Sequence, residues 1–390
     1  MPGLTWCLGL PSLQKLDGDS VRRTNEGHAA VAGGAVDGDA AVHEFPAGLV
    51  DVIDGEGKME LRDHPKPVVG PEDIILNVKA TGICGSDLQM NVDKDAPDKL
   101  PVGHEVAGIV EEIGENVDSK LLGQRVAVEI IGHGRACTTC WYCRQGQFRQ
   151  CTNMAPPEGG GFAEFMKRKA IGCYRVPDAM SWEEAALVEP LAVSIHGVRR
   201  GDMKGGEVVA VLGSGTIGLT AIAAAKALGA EKVFATARYE QQATLAKQLG
   251  ADEALPDDGP AFWEAIADAT NGRGADVTIE TVGGHQSATM HQAVTVTRDQ
   301  GRIVIIGGFR RPFEFNFLTP MLNEQSIIFS SCYAVLEGRH DYELAIDMIA
   351  SGKAPIEQMV THTYGLDQIQ QGFETSYDKS TGAVKVQILQ

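Results

Sequence analysis

Val208-Val209-Ala210-Val211-Leu212-Gly213-Ser214-Gly215-Thr216-Ile217-Gly218 is the stretch whose reading decides the fold. Five apolar residues, three of them valine, predict a buried strand. Gly213-x-Gly215-x-x-Gly218 then predicts a tight turn, and Thr216 to Leu228 a helix that opens directly from it. In that context the glycines let a pyrophosphate come close to the N–H groups at the start of the helix. The expected contacts are Gly213, Gly215, Thr216, Ile217 and Gly218.

Strands and helices alternate on the C-terminal side of this stretch. Lys232 to Thr236 reads as a second strand and Gln241 to Leu249 as a second helix. Val277 to Glu280 and Arg302 to Ile306 read as further strands. That alternation predicts a doubly wound parallel sheet. Cofactor choice is expected at the end of the second strand, which reads Ala235-Thr236-Ala237-Arg238-Tyr239. No acid stands there to accept ribose hydroxyls. Ala237 leaves space and Arg238 supplies a cation, which favours a 2′-phosphate and hence NADP(H) over NAD(H). A charge-assisted hydrogen bond is worth ~1.5–3 kcal/mol, about one to two decades of preference. The competing reading makes Arg238 a solvated surface residue.

The N-terminal side has a different texture. Gly48 to Ile53, Asp73 to Ala80, Val106 to Ile113 and Arg125 to Glu129 are short, β-branched and punctuated by Gly and Pro. They predict a β-rich domain, followed by a helical stretch from Trp182 to Arg200. After Cys332 come a helix (Tyr342 to Ser351), a strand near Val360 and a last strand, Val384 to Leu389. This tail is expected to return to the first domain. The first 42 residues are rich in Gly and Ala, and charges such as Asp17, Arg22 and Glu26 interrupt any apolar run. They predict a poorly ordered extension and not a signal peptide. The expected division is 1–42 as the extension, 43–194 with 333–390 as the β-rich domain, and 195–332 as the dinucleotide-binding domain.

The 390 residues carry a formal charge of -18, with 43% hydrophobic and 22% charged residues. The acidic balance argues against nucleic-acid partners. No apolar run is long enough to cross a bilayer. Eight cysteines, four of them crowded into fifteen residues, suggest metal binding in a reducing compartment, here expected to be the cytoplasm.

Cys137-x2-Cys140-x2-Cys143-x7-Cys151 can close a tetrahedron of thiolates around Zn²⁺ with no open position, the mark of a structural site. Spacing alone leaves iron–sulfur ligation open. A second constellation comprises Gly82-Ile83-Cys84-Gly85-Ser86-Asp87, Gly103-His104-Glu105 and Glu189-Pro190. Cys84, His104 and a carboxylate would leave one position of a zinc open, as catalysis requires. Glu189 precedes Pro190 in the expected first turn of a helix, where the dipole should keep it ionised. Asp87 is a candidate partner for the ligand imidazole, with a plain turn role as the alternative.

From about residue 43 onward, these residues and their order resemble the zinc-containing medium-chain dehydrogenases. Glu189, where many alcohol dehydrogenases place a third cysteine, is similar to the sorbitol (polyol), butanediol and threonine dehydrogenase branch. The resemblance implies a GroES-like catalytic domain interrupted by a Rossmann domain, and a homodimer or homotetramer. It implies one catalytic zinc on Cys84, His104 and Glu189, with Glu105 entering its shell transiently, and one structural zinc. The implied chemistry is hydride exchange between NADP(H) and a secondary alcohol, diol or polyol, or its ketone. Ser86 is implied as the acceptor of the departing proton. One departure is Gln89, which stands where many relatives have a relay histidine and cannot titrate. Protons are then expected to leave through Ser86, the cofactor ribose and water. Two other readings remain: a reductase of a conjugated carbonyl, and a non-catalytic zinc and NADPH-binding sensor. Substrate walls are expected from the loops Leu88 to Leu100, Asn153 to Gly161, Phe309 to Phe317 and Cys332 to Arg339. Their composition does not name a ligand.

Overall fold

The computed structural model describes residues 48–53, 59–89 and 102–390. The extension 1–42 and most of the loop Leu88 to Leu100 lie outside them. Two large sheets organise the rest. Val208–Leu212 is central in a six-stranded parallel sheet. Lys232–Thr236 and Glu253–Leu255 lie on one side, and Ala275–Glu280, Thr297–Ile305 and Ser326–Phe329 on the other. The strand order reverses beside Val208–Leu212, so a crevice opens at its C-terminal end, where Gly213 follows. All five residues of this strand are buried, because a parallel sheet is covered on both faces. That is why it reads as an unbroken apolar run.

The second sheet has seven strands, and its order begins with the tail. Val360–Gly365 runs parallel to Lys385–Leu389, which pairs antiparallel with Asp73–Gly82. Glu105–Ile113, Arg125–Val128 and Cys173–Arg175 follow, and Phe165–Lys169 pairs with Asp73–Gly82. The tail therefore closes the β-rich sheet, as its sequence position suggested. Phe165–Lys169 escapes sequence reading because its inward residues include Arg168, fully buried in a position that normally signals solvent.

The expected helix Trp182 to Arg200 is two helices, Trp182–Ala186 and Val188–Arg200, which meet at Leu187. Ser181 and Glu184 form a reciprocal cap at the first. The second buries Leu191, Ile195 and Val198 in one apolar cluster. That cluster takes in Ala80, Ala107 and Ala127 of one sheet and Val209, Val211 and Ile279 of the other. This helix places Glu189 between the two halves of the molecule.

Candidate active site

The antiparallel pairing of Asp73–Gly82 with Glu105–Ile113 sets Gly82 opposite Glu105. Cys84, just past the end of one strand, thus meets His104, just before the other. A Cβ at Gly82 would collide with the Glu105 carboxylate, so a larger residue there would displace it from this position. Donor atoms of Cys84, His104 and Glu105 lie within 4.8 Å of one another. Asp87, 3% exposed, organises the turn: Oδ2 accepts the Cys84 N–H at 2.9 Å, and Oδ1 lies 3.5 Å from His104 Nδ1. Burial disfavours charge on His104, but Asp87, Cys84 and the charge of Glu189 outweigh it and raise its pKa well above the usual value. Ser86 is exposed on the same turn. Gln89 ends the short helical turn Asp87–Gln89, and its side chain lies outside the described residues.

Glu189 occupies the first turn of Val188–Arg200, 6% exposed, and its charge is felt by His104. It does not belong to the group gathered within 4.8 Å. Burial pushes its pKa up to about 7, against the opposing charge of His104. A buried carboxylate so placed needs a cation to hold its charge.

Sequence reading missed Lys385. Its ammonium lies 2.7 Å from both oxygens of Glu105 and 3.0 Å from the Ile83 carbonyl oxygen, and both side chains are 1% exposed. Burial opposes the charge on Lys385, but Glu105 and Cys84 raise its pKa. The only signal was a lysine at an inward register position of the apolar strand Lys385–Leu389.

The other four cysteines also converge within 4.8 Å. Cys140 and Cys143 sulfurs are 3.4 Å apart, and those of Cys137 and Cys143 4.0 Å. Ligands at ~2.3 Å around a tetrahedral ion would be about 3.8 Å apart. The Cys140 N–H points at Cys137 Sγ and the Cys137 N–H at Cys151 Sγ, both at 3.3 Å. No described cysteine is in a disulfide. The donor set and the N–H···S bonds fit a thiolate-bound zinc.

At the glycine turn, Gly213 has φ +95°, and a Cβ at Gly218 would overlap the Gly213 carbonyl. Gly215 caps the helix Thr216–Ala227, and a Cβ there would meet nothing within 4 Å, which leaves room above the helix start. The Ile217 carbonyl inside the first turn accepts the Ser194 hydroxyl at 3.0 Å. Ala237 is buried. Arg238, with its side chain 69% exposed, donates from Nε and Nη2 to one oxygen of Asp257 at 3.2 and 3.1 Å. The Thr216 hydroxyl donates to the Val384 carbonyl at 3.5 Å, one residue from Lys385. The glycine turn and the Cys84–His104 cluster are therefore joined through the last strand.

Comparison with known proteins agrees with this arrangement. A family model described as alcohol dehydrogenase GroES-like domain matches residues 70–178, and one described as zinc-binding dehydrogenase matches 216–351. Sorbitol dehydrogenase of Bacillus subtilis is 31% identical, over 89% of this chain and 98% of its own. L-Idonate 5-dehydrogenase of Vitis vinifera is 31% identical, over 84% and 91%. The crystal structure of 2R,3R-butanediol dehydrogenase from Bacillus subtilis superposes with a TM-score of 0.74 at 27% identity, covering 88% of this chain and all of that one (100%). With its cysteine, histidine and carboxylate cluster, its four-cysteine lobe and its glycine turn, the chain belongs to the polyol branch of the zinc-dependent medium-chain alcohol dehydrogenases, built from a GroES-like and a Rossmann domain.

Proposed function

We propose that this dehydrogenase exchanges hydride between NADP(H) and a secondary alcohol, diol or polyol, or the corresponding ketone. The observation that carries the reading is the junction of the glycine turn with the Cys84–His104–Glu105 cluster through Val384 and Lys385. Cys84, His104 and Glu189 would hold a catalytic zinc, with Glu105 as a further ligand released or retained by Lys385. Cys137, Cys140, Cys143 and Cys151 would hold a structural one. When bound, the catalytic zinc supplies Lewis-acid polarisation of an alcohol or carbonyl oxygen. Asp87 orients the His104 ring. Ser86, exposed beside Cys84, passes the alcohol proton towards solvent. Gly213, Gly215, Thr216, Ile217 and Gly218 seat the pyrophosphate. Ala237 and Arg238 receive the 2′-phosphate once Arg238 turns from Asp257.

The same reading assigns residues 43–194 and 333–390 to the catalytic domain and 195–332 to the cofactor domain. It places the protein in the cytoplasm, which free cysteines favour. It also makes the chain a homo-oligomer. Edge strand Ser326–Phe329 exposes Phe329, and the adjoining helix Leu318–Leu322 exposes Leu318, Met321 and Leu322, an apolar surface suited to a second copy.

Absorbance at 340 nm with a panel of polyols, diols, threonine and simple ketones, each run with both cofactors, tests the proposal. Turnover of a polyol or diol with kcat/KM for NADP(H) about tenfold or more above that for NAD(H) is expected. Preference for NAD(H), or turnover of none of the panel, overturns the corresponding half.

A further inference from the structure

Glu129, His133 and His340 form a second mixed cluster, none of whose members belongs to either zinc site described above. Glu129 follows the strand Arg125–Val128 and is fully buried. His133 lies on the loop leading to the cysteine lobe, its ring stacked 4.0 Å from that of Phe148. His340 caps the helix Asp341–Ala350 and is 4% exposed. One donor atom from each of the three lies within 4.8 Å of the other two.

Glu129 has no lysine or arginine partner among the described residues. Its Oε1 accepts the His133 N–H at 2.6 Å and its Oε2 the Tyr174 hydroxyl at 3.2 Å. The nearby Arg199 is spent on Asp341 and on the carbonyls of Leu336 and Arg339. His340 cannot supply the charge, since burial lowers its pKa to about 3 and keeps the ring neutral. Burial likewise pushes Glu129 up to about 8. His340 Nε2 is a buried atom without a well-directed hydrogen-bond partner, 3.4 Å from Glu129 Oε2. Two ligands each ~2.1 Å from a tetrahedral ion would lie about 3.4 Å apart.

We propose that Glu129, His133 and His340 form a third divalent-metal site, of the two-imidazole, one-carboxylate class that takes Zn²⁺. The ion would tie the end of a catalytic-sheet strand to the cysteine-lobe loop and to the helix that leads into the C-terminal tail. Neutral imidazoles and a carboxylate suit a borderline cation, and three protein ligands leave one position for water. Coordination requires Glu129 to release its proton to solvent, and it carries a further cost at His340. Nδ1 accepts the Tyr342 N–H at 3.1 Å, so the free ring holds its proton on Nε2. Binding a metal through Nε2 moves that proton to Nδ1 and breaks the cap, a loss that weakens the site relative to the four-thiolate one. A more labile ion is therefore expected here.

Cobalt distinguishes this site from the others, because each of the other two contains thiolate and this one contains none. Titration of the full-length, metal-free protein with Co²⁺ is expected to show one equivalent that adds d–d absorption without thiolate-to-cobalt charge transfer. Zinc measured at a fixed micromolar free concentration should fall by one equivalent per chain in Glu129→Gln, which preserves shape. It should fall equally in His133→Asn, at a less buried position. Both variants should keep the thiolate charge-transfer band, which reports that the rest of the protein is folded and loaded. The proposal is overturned if wild type and both variants bind the same number of ions. It is overturned equally if every bound cobalt brings charge transfer.

Discussion

Lys385→Met tests the ion pair that joins the last strand to the active site. Methionine keeps the length of the side chain and removes its charge. Lys385 and Glu105 are each 1% exposed, and the ammonium contacts both carboxylate oxygens at 2.7 Å. The substitution strands the Glu105 carboxylate away from water, and Glu189 lies within reach of its field. Removing one partner of a buried pair costs about 3–5 kcal/mol. For the roughly 330 described residues at ~2.1 cal/mol/K each, that is a fall in Tm of about 4–7 °C. Adding Glu105→Gln removes the stranded charge, so the double variant should regain most of the loss. The assay is thermal unfolding of wild type, both single variants and the double variant at one free zinc concentration. Their cycle isolates the coupling between the two side chains. A coupling below about 0.5 kcal/mol, within the usual error of additivity, would refute the reasoning.

Gly218→Ala should leave the catalytic cluster intact but raise the Kd for NADP(H) by an order of magnitude or more, read by nucleotide fluorescence. The added methyl would overlap the Gly213 carbonyl, which is backbone and cannot turn aside; unchanged affinity would show that the turn is not the phosphate seat. The pH response of Glu189 has a definite sign. Its folded pKa, pushed up to about 7, lies above the usual 4.5, so without metal its contribution to stability is present below 4.5 and lost as pH rises to 7. A bound cation offsets that loss, so the rise in Tm on adding zinc should grow between pH 5 and 7, with deprotonation of His104 and the thiolates adding to the growth. Glu189→Gln should flatten this growth, and an equally steep dependence in the variant would count against the assignment.

The cofactor half was legible because its chemistry is local. Val208–Leu212, the glycines and the helix after them lie within twenty residues, and the turn needs glycine whatever packs around it. The four-cysteine lobe was legible for the same reason, since its cysteines span fifteen residues. The catalytic cluster was legible only in part. Cys84 and His104 announce themselves by residue type, but whether Glu105 or Glu189 stands nearer depends on strand register and helix placement. Burial also raises the Glu189 pKa, an effect of removing a carboxylate from water that no local pattern announces.

Lys385 and the Glu129–His133–His340 cluster were not legible. Glu105 and Lys385 are 280 residues apart, and Glu129 and His340 more than two hundred, so no spacing rule connects them. The sequence by itself determined that the chain makes a parallel sheet with a glycine turn, a four-cysteine lobe and a cysteine–histidine pair. Each of these follows from neighbouring residues and the backbone conformations they permit. Only the tertiary structure decided which carboxylate meets the pair, which ammonium neutralises it and which cluster has a carboxylate without a cationic side chain. Those outcomes depend on which charges are removed from water together, and burial is a property of the whole fold.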